Sequence, residues 1–310
     1  MKLVRDLGSL PPEHQGGAVA IGNFDGVHLG HARIIERLIA HARKIGGPAI
    51  VFTFDPPPAR ILRPAAAPPS LTTTERKLEL LAALGVDTTI VYPTDQALLQ
   101  LSAREFFSQI VERKLQARAL VEGPNFFFGH DREGTIAVLT ELCREAGLPL
   151  EIVEPVEIRG QLVSSSRVRG LLTEGRVDEV AEILTEPYRI RGLVARGAGR
   201  GTQIGVPTAN LSQVSTLIPA PGVYAGRGWW SSQSWPAAIN IGPNPTFGEE
   251  SLKLEAHLIG AAQDFTGQWL DVDFLSRLRD IQRFPNVEAL TKQLRVDIEL
   301  ARQVAEARTS

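Results

Sequence analysis

Up to about residue 185, short apolar runs alternate with stretches whose apolar positions recur at helical spacing. The runs Ala18–Ile21, Ala49–Phe54, Thr88–Tyr92, Ala119–Glu122 and Leu150–Val153 predict strands. The stretches His31–Lys44, Thr74–Leu84, Ala103–Lys114 and Glu133–Ala146 predict helices between them. Such alternation implies a parallel sheet with helices on both faces, whose ligands bind at the carboxyl ends of the strands. The proline-rich segment Pro56–Pro69 is expected to be irregular, a long loop beside that site. Beyond Glu186-Pro187 the pattern changes to short β-rich runs: Ile190–Ala195, Gly222–Trp230, Trp235–Ile241, Leu252–Ile259 and Leu270–Leu275. Gly, Pro and Asn turns separate them, which predicts a small antiparallel β-barrel. Val287–Ala307 closes the chain as one long helix, with Leu290, Leu294, Ile298 and Val304 as its expected buried stripe. The expected domains are therefore residues 1–186 and 187–310.

Composition narrows the classes of function. At 310 residues the chain can bury two cores, and 43% apolar with 22% charged residues is an ordinary globular balance. A net charge of −2 makes no electrostatic case for nucleic acid or an anionic membrane. No apolar run approaches a membrane span, and Met1–Asp6 lacks the apolar core of a signal peptide. The single cysteine, Cys143, excludes an internal disulfide and falls in a helical pattern as a packed core thiol. These features predict a cytoplasmic protein acting on small molecules, with oligomeric state unreadable.

The chemistry concentrates first in Gly22-Asn23-Phe24-Asp25-Gly26-Val27-His28-Leu29-Gly30-His31, between the first strand and first helix. Glycines allow close backbone approach, and the amides and dipole of a helix N-terminus favour phosphate. His28 and His31 can face that anion together and stabilise charge on a leaving pyrophosphate. Neither a Walker lysine motif nor GxGxxG is present here, so a P-loop and a dinucleotide fingerprint are excluded. The HxGH spacing resembles the nucleotidyltransferase superfamily. A tight strand-to-helix turn with two surface histidines is the alternative.

Two further segments of the first half carry candidates. In Gly123-Pro124-Asn125-Phe126-Phe127-Phe128-Gly129 a phenylalanine could stack on a planar ring and Asn125 could orient its edge, or all three rings could pack beneath the loop. Ser164-Ser165-Ser166-Arg167-Val168-Arg169 opens a helix with hydroxyls, amides and arginines, suited to phosphate or to plain N-capping. GNFDGVHLGH, TFDP at Thr53–Pro56, the Asn-Phe loop and SSSRVR in this order resemble the adenylyltransferase module of the bacterial bifunctional riboflavin kinase/FMN adenylyltransferase family, commonly called FAD synthetases. That family usually continues TFDP with His-Pro, where this chain has Pro57-Pro58. It also usually reads Ser-Ser-Thr, where Ser166 keeps a hydroxyl. The missing histidine bears on the efficiency of this half.

The second half supplies an independent set. Gly192–Gly201 leads from a strand into a glycine-rich loop whose amides could wrap phosphates. In Gly205-Val206-Pro207-Thr208-Ala209-Asn210, Thr208 and Asn210 alternate by two and offer hard oxygens suited to Mg²⁺ with ATP, although PTAN taken alone favours a strand-end turn. Glu255 and His257 share one face of a strand otherwise written in apolar residues, so the carboxylate needs partners or a task. General base toward a ribityl hydroxyl is such a task; a rim-facing salt-bridged Glu is the alternative. GxVxxGxGRGxxxGxPTANL, PAPGVYAG, NIGPNPTFG, LEAHL and LRDIQRF resemble the riboflavin kinase module, so the resemblance spans essentially the whole chain.

The resemblance implies a Rossmann-like nucleotidyltransferase domain followed by a riboflavin kinase barrel, with riboflavin, FMN, FAD and ATP as substrates or products and Mg²⁺ as cofactor. In the first domain it implies His28 and His31 for catalysis, and Gly22, Phe24, Asp25, Gly30, Ser164, Ser165, Ser166 and Arg169 for ATP. Asn125, Phe126 and Phe128 would take the flavin. In the second it implies Glu255 as base and Gly197, Gly199, Gly201, Gly205, Thr208 and Asn210 for ATP. Thr208 and Asn210 would also hold the metal, and Arg279 and Phe284 the flavin. Two other readings stay open at this level: a riboflavin kinase with an impaired adenylyltransferase half, and a flavin- or nucleotide-binding regulator without turnover.

Overall fold

The computed structural model describes residues 1–197, 201, 205–244 and 249–308. The first half forms a six-stranded sheet of β1 (Lys2–Val4), β2 (Ala18–Ile21), β3 (Ala49–Phe54), β4 (Thr88–Tyr92), β5 (Ala119–Glu122) and β6 (Leu150–Ile152). The spatial order is β1-β4-β3-β2-β5-β6 and every pairing is parallel. Side chains alternate across β2. Val19 and Ile21 join one core with Ile50, Phe52, Phe106 and Leu120, while Ala18 and Ala20 join another with Val51, Val121, Ile35 and Leu38. Ile35 and Leu38 belong to α1 (Leu29–Ile45). Small residues on that strand face bring the helix close, and burying each of those two side chains contributes roughly 1.5–3 kcal/mol. Helix α1 starts where the His28 ring nitrogen accepts the His31 amide and stops at Gly46, which takes the left-handed conformation of a C-cap.

The strand order has one functional consequence. Chain progression runs outward in opposite directions from β2 and β5, so these neighbours mark the point where the winding reverses. Ligands of such sheets bind outside the carboxyl ends of the strands at that point. The Gly22–His28 turn follows β2, and the Gly123–Gly129 loop follows β5.

The Pro56–Pro69 segment departs from expectation. It contains a helix, α2 (Pro58–Leu62), and a 3₁₀ turn, Pro64–Ala66, each with proline at its start. Proline is excluded from helix interiors but its fixed φ suits the first helical position. Helix α3 (Thr74–Ala83) leads to β4, α4 (Gln96–Leu99) follows it, and α5 (Ala103–Phe106) opens on a Ser102–Glu105 capping box. From Phe107 to Lys114 the winding is π-helical, turning Phe107, Ile110 and Val111 inward. Helix α6 (Ile136–Ala146) completes the layer and holds Cys143 in the core; burial pushes its thiol up to about 11. A two-stranded hairpin, β7 (Glu157–Ile158) with β8 (Gln161–Leu162), ends this half.

By packing, the chain divides into Met1–Pro69 with Thr74–Ser164, and Ser70–Thr73 with Ser165–Ser310. The break therefore falls before α7 (Ser165–Thr173) and α8 (Val177–Ile183), earlier than the composition change at residue 186. The reason is local. Arg277 donates to the Glu174 carbonyl at 3.0 Å, and its backbone amide to Asp178 at 3.2 Å, tying both helices to the second unit.

That unit is a closed barrel of β9 (Tyr188–Ala195), β10 (Ala209–Ser212), β11 (Gly222–Trp230), β12 (Gln233–Asn244), β13 (Glu249–Leu258) and β14 (Trp269–Arg279). Its order is β10-β13-β12-β11-β14-β9, all antiparallel, and the β9–β10 pairing closes it. On β9, Tyr188, Ile190 and Val194 point inward while Arg189 and Arg191 point outward, each forked onto an opposite β14 carboxylate, Asp273 and Asp271. The last helix, α9 (Val287–Ala307), has the expected bounds, but its stripe is shifted. Asp297, Ala301 and Ala305 are fully buried, while Leu290, Leu294, Ile298 and Val304 lie half-buried at its sides. Small residues let the helix approach the barrel, and Asp297 is buried because Arg279 pairs with it.

Candidate functional sites

In the first unit the backbone itself shapes the site. Between β2 and α1, Phe24, Gly26 and Val27 all have positive φ (47°, 85° and 40°). A β-branched residue at such an angle is strained, and here the strain folds the chain into a turn that delivers His28 to the helix start. His28 is buried, and its Nδ1 accepts the His31 amide at 3.3 Å, which leaves the ring proton on Nε2. The two imidazoles stack, with centroids 3.7 Å apart and planes 13° from parallel. Phe24 leans on His31 at 5.1 Å. A Cβ on Gly30 would stand 3.1 Å from the His28 ring and 3.7 Å from the Val163 carbonyl. Glycine thus lets the ring lie over the helix end, beside the strand of chain that leads into Ser164.

Burial sets the electrostatics. It lowers His28 from 6.5 to about 4, and it holds His31 well below its usual value, with the neighbouring His28 and Lys77 adding to the effect. Both rings are neutral hydrogen-bonding groups at physiological pH. The buried Nδ1 of His31 has no hydrogen-bond partner among the described residues. An unsatisfied buried nitrogen is costly, and one beside an open helix N-terminus is suited to a ligand.

The other candidates of this half lie on separate segments of the chain. Gly22 and Asp25 flank the turn and are half-buried. After β5, Asn125 is exposed and Phe126 stacks on Phe128 at 5.3 Å. Phe128 itself is a core residue, 7% exposed and packed on Phe106. Phe127 is the exposed ring, capped by the Arg132 guanidinium at 4.2 Å. Ser164 is the last residue of the first unit, and Ser165, Ser166 and Arg169 open α7 in the second. Pro57 is half-buried at the N-cap of α2 and supplies no hydrogen-bond donor there.

In the second unit, pairing register assembles the site. Asn210 on β10 lies opposite Glu255 on β13, and Glu255 lies opposite Asn240 on β12. Directly opposed residues share a sheet face, so three polar side chains form one row across three strands. Leu254, Ala256 and Leu258 occupy the buried face, and Glu255 and His257 the other. The carboxylate is therefore not set among the apolar residues of its strand, because alternation segregates them. His257 Nδ1 lies 2.7 Å from the Pro207 carbonyl and Asn210 Nδ2 donates to the Thr208 carbonyl at 3.5 Å, so the Pro207–Asn210 segment is held against β13. A cleft of about 400 Å³ is lined by Val194, Gly197, Thr208, Asn210 and Phe265 among others; from β13 it takes Ala256 and Leu258, and Glu255 is not part of its lining. A side chain at Gly197 would collide with the Asn210 amide. Gly201 also lines the cleft and Gly205 turns with φ of 78°; Gly199 lies outside the described residues.

Arg279 ends β14, and its guanidinium is taken by buried Asp297 at 2.8 Å and by the Asp280 carbonyl at 2.9 Å. It stands 5.6 Å over the Phe284 ring. The structure thus brings Arg279 and Phe284 together. Two residues join the candidates only with the structure: Asn240, whose motif is read from sequence but whose place opposite Glu255 comes from register, and Lys77, whose burial the helical pattern alone does not state.

The fold joins a parallel α/β unit of doubly wound type to a small closed antiparallel barrel. The FAD synthetase family profile matches residues 10–167, and the riboflavin kinase profile matches residues 184–305. A bifunctional riboflavin kinase/FMN adenylyltransferase from Pseudomonas fluorescens is 38% identical over 306 residues, 98% of each chain. The protein of the same description from Escherichia coli K12 is 33% identical, over 98% of this chain and 97% of that one. A solved structure described as a macrolide-efflux protein from Streptococcus pneumoniae superposes with a TM-score of 0.84 at 30% identity, covering 97% of this chain and 98% of its own. No helix among the described residues of this chain is long and apolar enough to cross a membrane. The chain belongs to the bifunctional riboflavin kinase/FMN adenylyltransferase family, a transferase family whose two activities its two matched domains represent.

Proposed function

We propose that the barrel transfers the γ-phosphoryl group of ATP to the ribityl 5′-hydroxyl of riboflavin, and that the α/β half then joins FMN to a second ATP. In the first step Glu255 takes the hydroxyl proton as the oxygen attacks, and ADP leaves. Thr208 and Asn210 hold the nucleotide end, with the Gly197, Gly199, Gly201 and Gly205 backbone around its phosphates. Arg279 and Phe284 take the flavin side. The hydroxyl and amide oxygens of Thr208 and Asn210 fit Mg²⁺, which when bound would offset phosphate charge. Asp297 acts here by fixing the Arg279 fork.

In the second step an FMN phosphate oxygen attacks the α-phosphorus of ATP and pyrophosphate leaves. His28 and His31 donate to the triphosphate from their protonated nitrogens. Gly22, Phe24, Asp25 and Gly30 shape the cradle, and Ser164, Ser165, Ser166 and Arg169 hold phosphates. Asn125 and Phe126 take the flavin, with Phe128 packed beneath as support. Catalysis is by position and charge, so no covalent nucleophile is needed. The observation that carries this reading is the neutral, stacked histidine pair at the sheet's switch point, with a buried ring nitrogen awaiting a partner. On this reading residues 1–186 carry the adenylyltransferase and residues 187–310 the kinase. ATP consumption in both steps supports a cytoplasmic setting.

The test is a chromatographic time course of the protein with riboflavin, ATP and Mg²⁺. FMN should rise first and FAD follow; absence of either product removes the corresponding half of the reading.

A further inference from the structure

Helix α3 turns Lys77, Leu80 and Leu81 into the interior, and Lys77 is only 4% exposed. A lysine at a core position of a helix carries a desolvation cost of several kcal/mol, which a leucine there would avoid. Its partners do not repay that cost. Among the described residues its ammonium makes one hydrogen bond, to Thr53 Oγ1 at 3.3 Å, out of three donors. Thr53 is fully buried on β3 and its hydroxyl donates onward to the Asn23 carbonyl at 3.2 Å, inside the turn that presents the histidines. Asp25 and Asp55 lie near enough to favour the charge, and burial opposes them, so Lys77 sits below its usual value. Asp55 is itself engaged by the Thr74 hydroxyl at 2.8 Å, at the start of the same helix. The charge of Lys77 reaches the site, since it disfavours protonation of His31.

We propose that Lys77 is a positioning residue of the adenylyl-transfer site. Its ammonium supports the Asn23–Asp25 turn through Thr53 and places a fixed positive charge behind the histidine pair, where the triphosphate is bound. The histidines supply directed donors without net charge, and the lysine supplies the charge that they lack. This inference rests on the assignment of His28 and His31 to ATP, and it adds a source of anion affinity outside the glycine turn and the helix end. A phosphate chain carrying several negative charges is the ligand class such a fixed cation recognises.

Two substitutions separate its two roles. Lys77→Gln keeps a donor to Thr53 and removes the charge; Thr53→Val removes the relay and keeps the charge. Each full-length variant is assayed for FAD formation from supplied FMN, for competition between ATP and inorganic tripolyphosphate, and for riboflavin phosphorylation. For Lys77→Gln, kcat/KM for ATP in adenylyl transfer is expected to fall at least thirtyfold and tripolyphosphate inhibition to weaken at least tenfold. KM for FMN and the kinase activity should stay within twofold. Thr53→Val is expected to lose less than tenfold. Lys77→Gln within threefold of the wild type, or equal losses in the two variants, overturns the proposal. Lys77→Met is the second charge-removing variant if the glutamine fails to fold, with the same expectations. His31→Ala distinguishes the levels: if it retains FAD formation the site assignment falls, whereas a loss there beside an active Lys77→Gln removes only Lys77.

Discussion

The two units build phosphate chemistry by opposite means. In the α/β half the reactive groups sit on a strained turn, where Val27 holds a left-handed angle and two histidines are buried without charge. In the barrel the groups lie on regular strands, and Asn210, Glu255 and Asn240 meet because register puts them opposite one another. The first site depends on local backbone and desolvation. The second depends on pairing over distant parts of the chain, with Glu255 half-buried on the face opposite Leu254, Ala256 and Leu258. Under the proposed assignment, adenylyl transfer, which needs no proton removed from an alcohol, would be served by neutral donors, and phosphorylation of a hydroxyl by a carboxylate.

The comparison breaks most readily at Glu255. Glu255→Gln should lower FMN formation by about 10²–10⁴-fold, the usual worth of a general base, while FAD formation from supplied FMN is unchanged. A loss of both activities would mean that the barrel and the sheet do not divide the work. Next in size, His28→Ala or His31→Ala should lower FAD formation by about 10²–10³-fold, as for removal of a preorganised donor, and leave riboflavin phosphorylation intact. Initial rates with each flavin supplied separately read this directly.

Stability offers a subtler contrast. His28 lies near 4 when folded and near 6.5 when unfolded, so the unfolded chain binds the extra proton between those values. The stability it contributes is complete above pH 6.5 and is lost as pH falls toward 4, by up to about 3 kcal/mol. All four tryptophans, Trp229, Trp230, Trp235 and Trp269, belong to the barrel unit. Urea unfolding followed by tryptophan emission therefore reports that unit, while circular dichroism reports both. The acid-induced drop should appear in the second signal and not the first, and His28→Asn should diminish it. Glu122 works with the opposite sign. Burial pushes its carboxyl well above the usual range, and it accepts the Ile21 amide at 2.8 Å. Its contribution is present at acid pH and is lost as pH rises through the folded value. Glu122→Gln keeps the acceptor and should stabilise the first unit, more at pH 8 than at pH 5. The smallest effect concerns Pro57, where Pro57→His should raise FAD formation by less than tenfold, ~1 kcal/mol, the worth of one added hydrogen bond. No gain would show that the local helix has made the histidine unnecessary.

Strand and helix periodicity made both architectures legible from sequence, because long elements repeat their pattern many times. The α9 bounds are of that kind, and the alternation of apolar runs with helices marked five of the six strands of the sheet, β2 to β6. β1 and the β7–β8 hairpin, of two or three residues each, were not legible, whereas the similarly short β2, β5 and β6 were, because apolar runs in alternation with helices marked them. The prolines after Asp55 suggested irregular chain, yet proline at a helix start is favourable, so α2 was hidden. At the sites, His28, His31 and Glu255 were visible because short motifs carry them. The place of Asn240 opposite Glu255 was not, since a motif does not state which strands pair. Phe126, Phe127 and Phe128 looked alike in sequence and separate only through packing, one half-buried, one exposed and one in the core. Lys77 hid in a helical pattern that reads equally as a solvated face.

The division of labour between turn and barrel is tested most directly by one paired assay. Glu255→Gln and His28→Ala, each as the full chain, are followed by chromatography with riboflavin, ATP and Mg²⁺, and again with FMN in place of riboflavin. The account predicts that His28→Ala accumulates FMN and stops there. Glu255→Gln should make almost no FMN from riboflavin but convert supplied FMN to FAD at the wild-type rate. Either variant losing both reactions, or exchanging the expected defects, would contradict it.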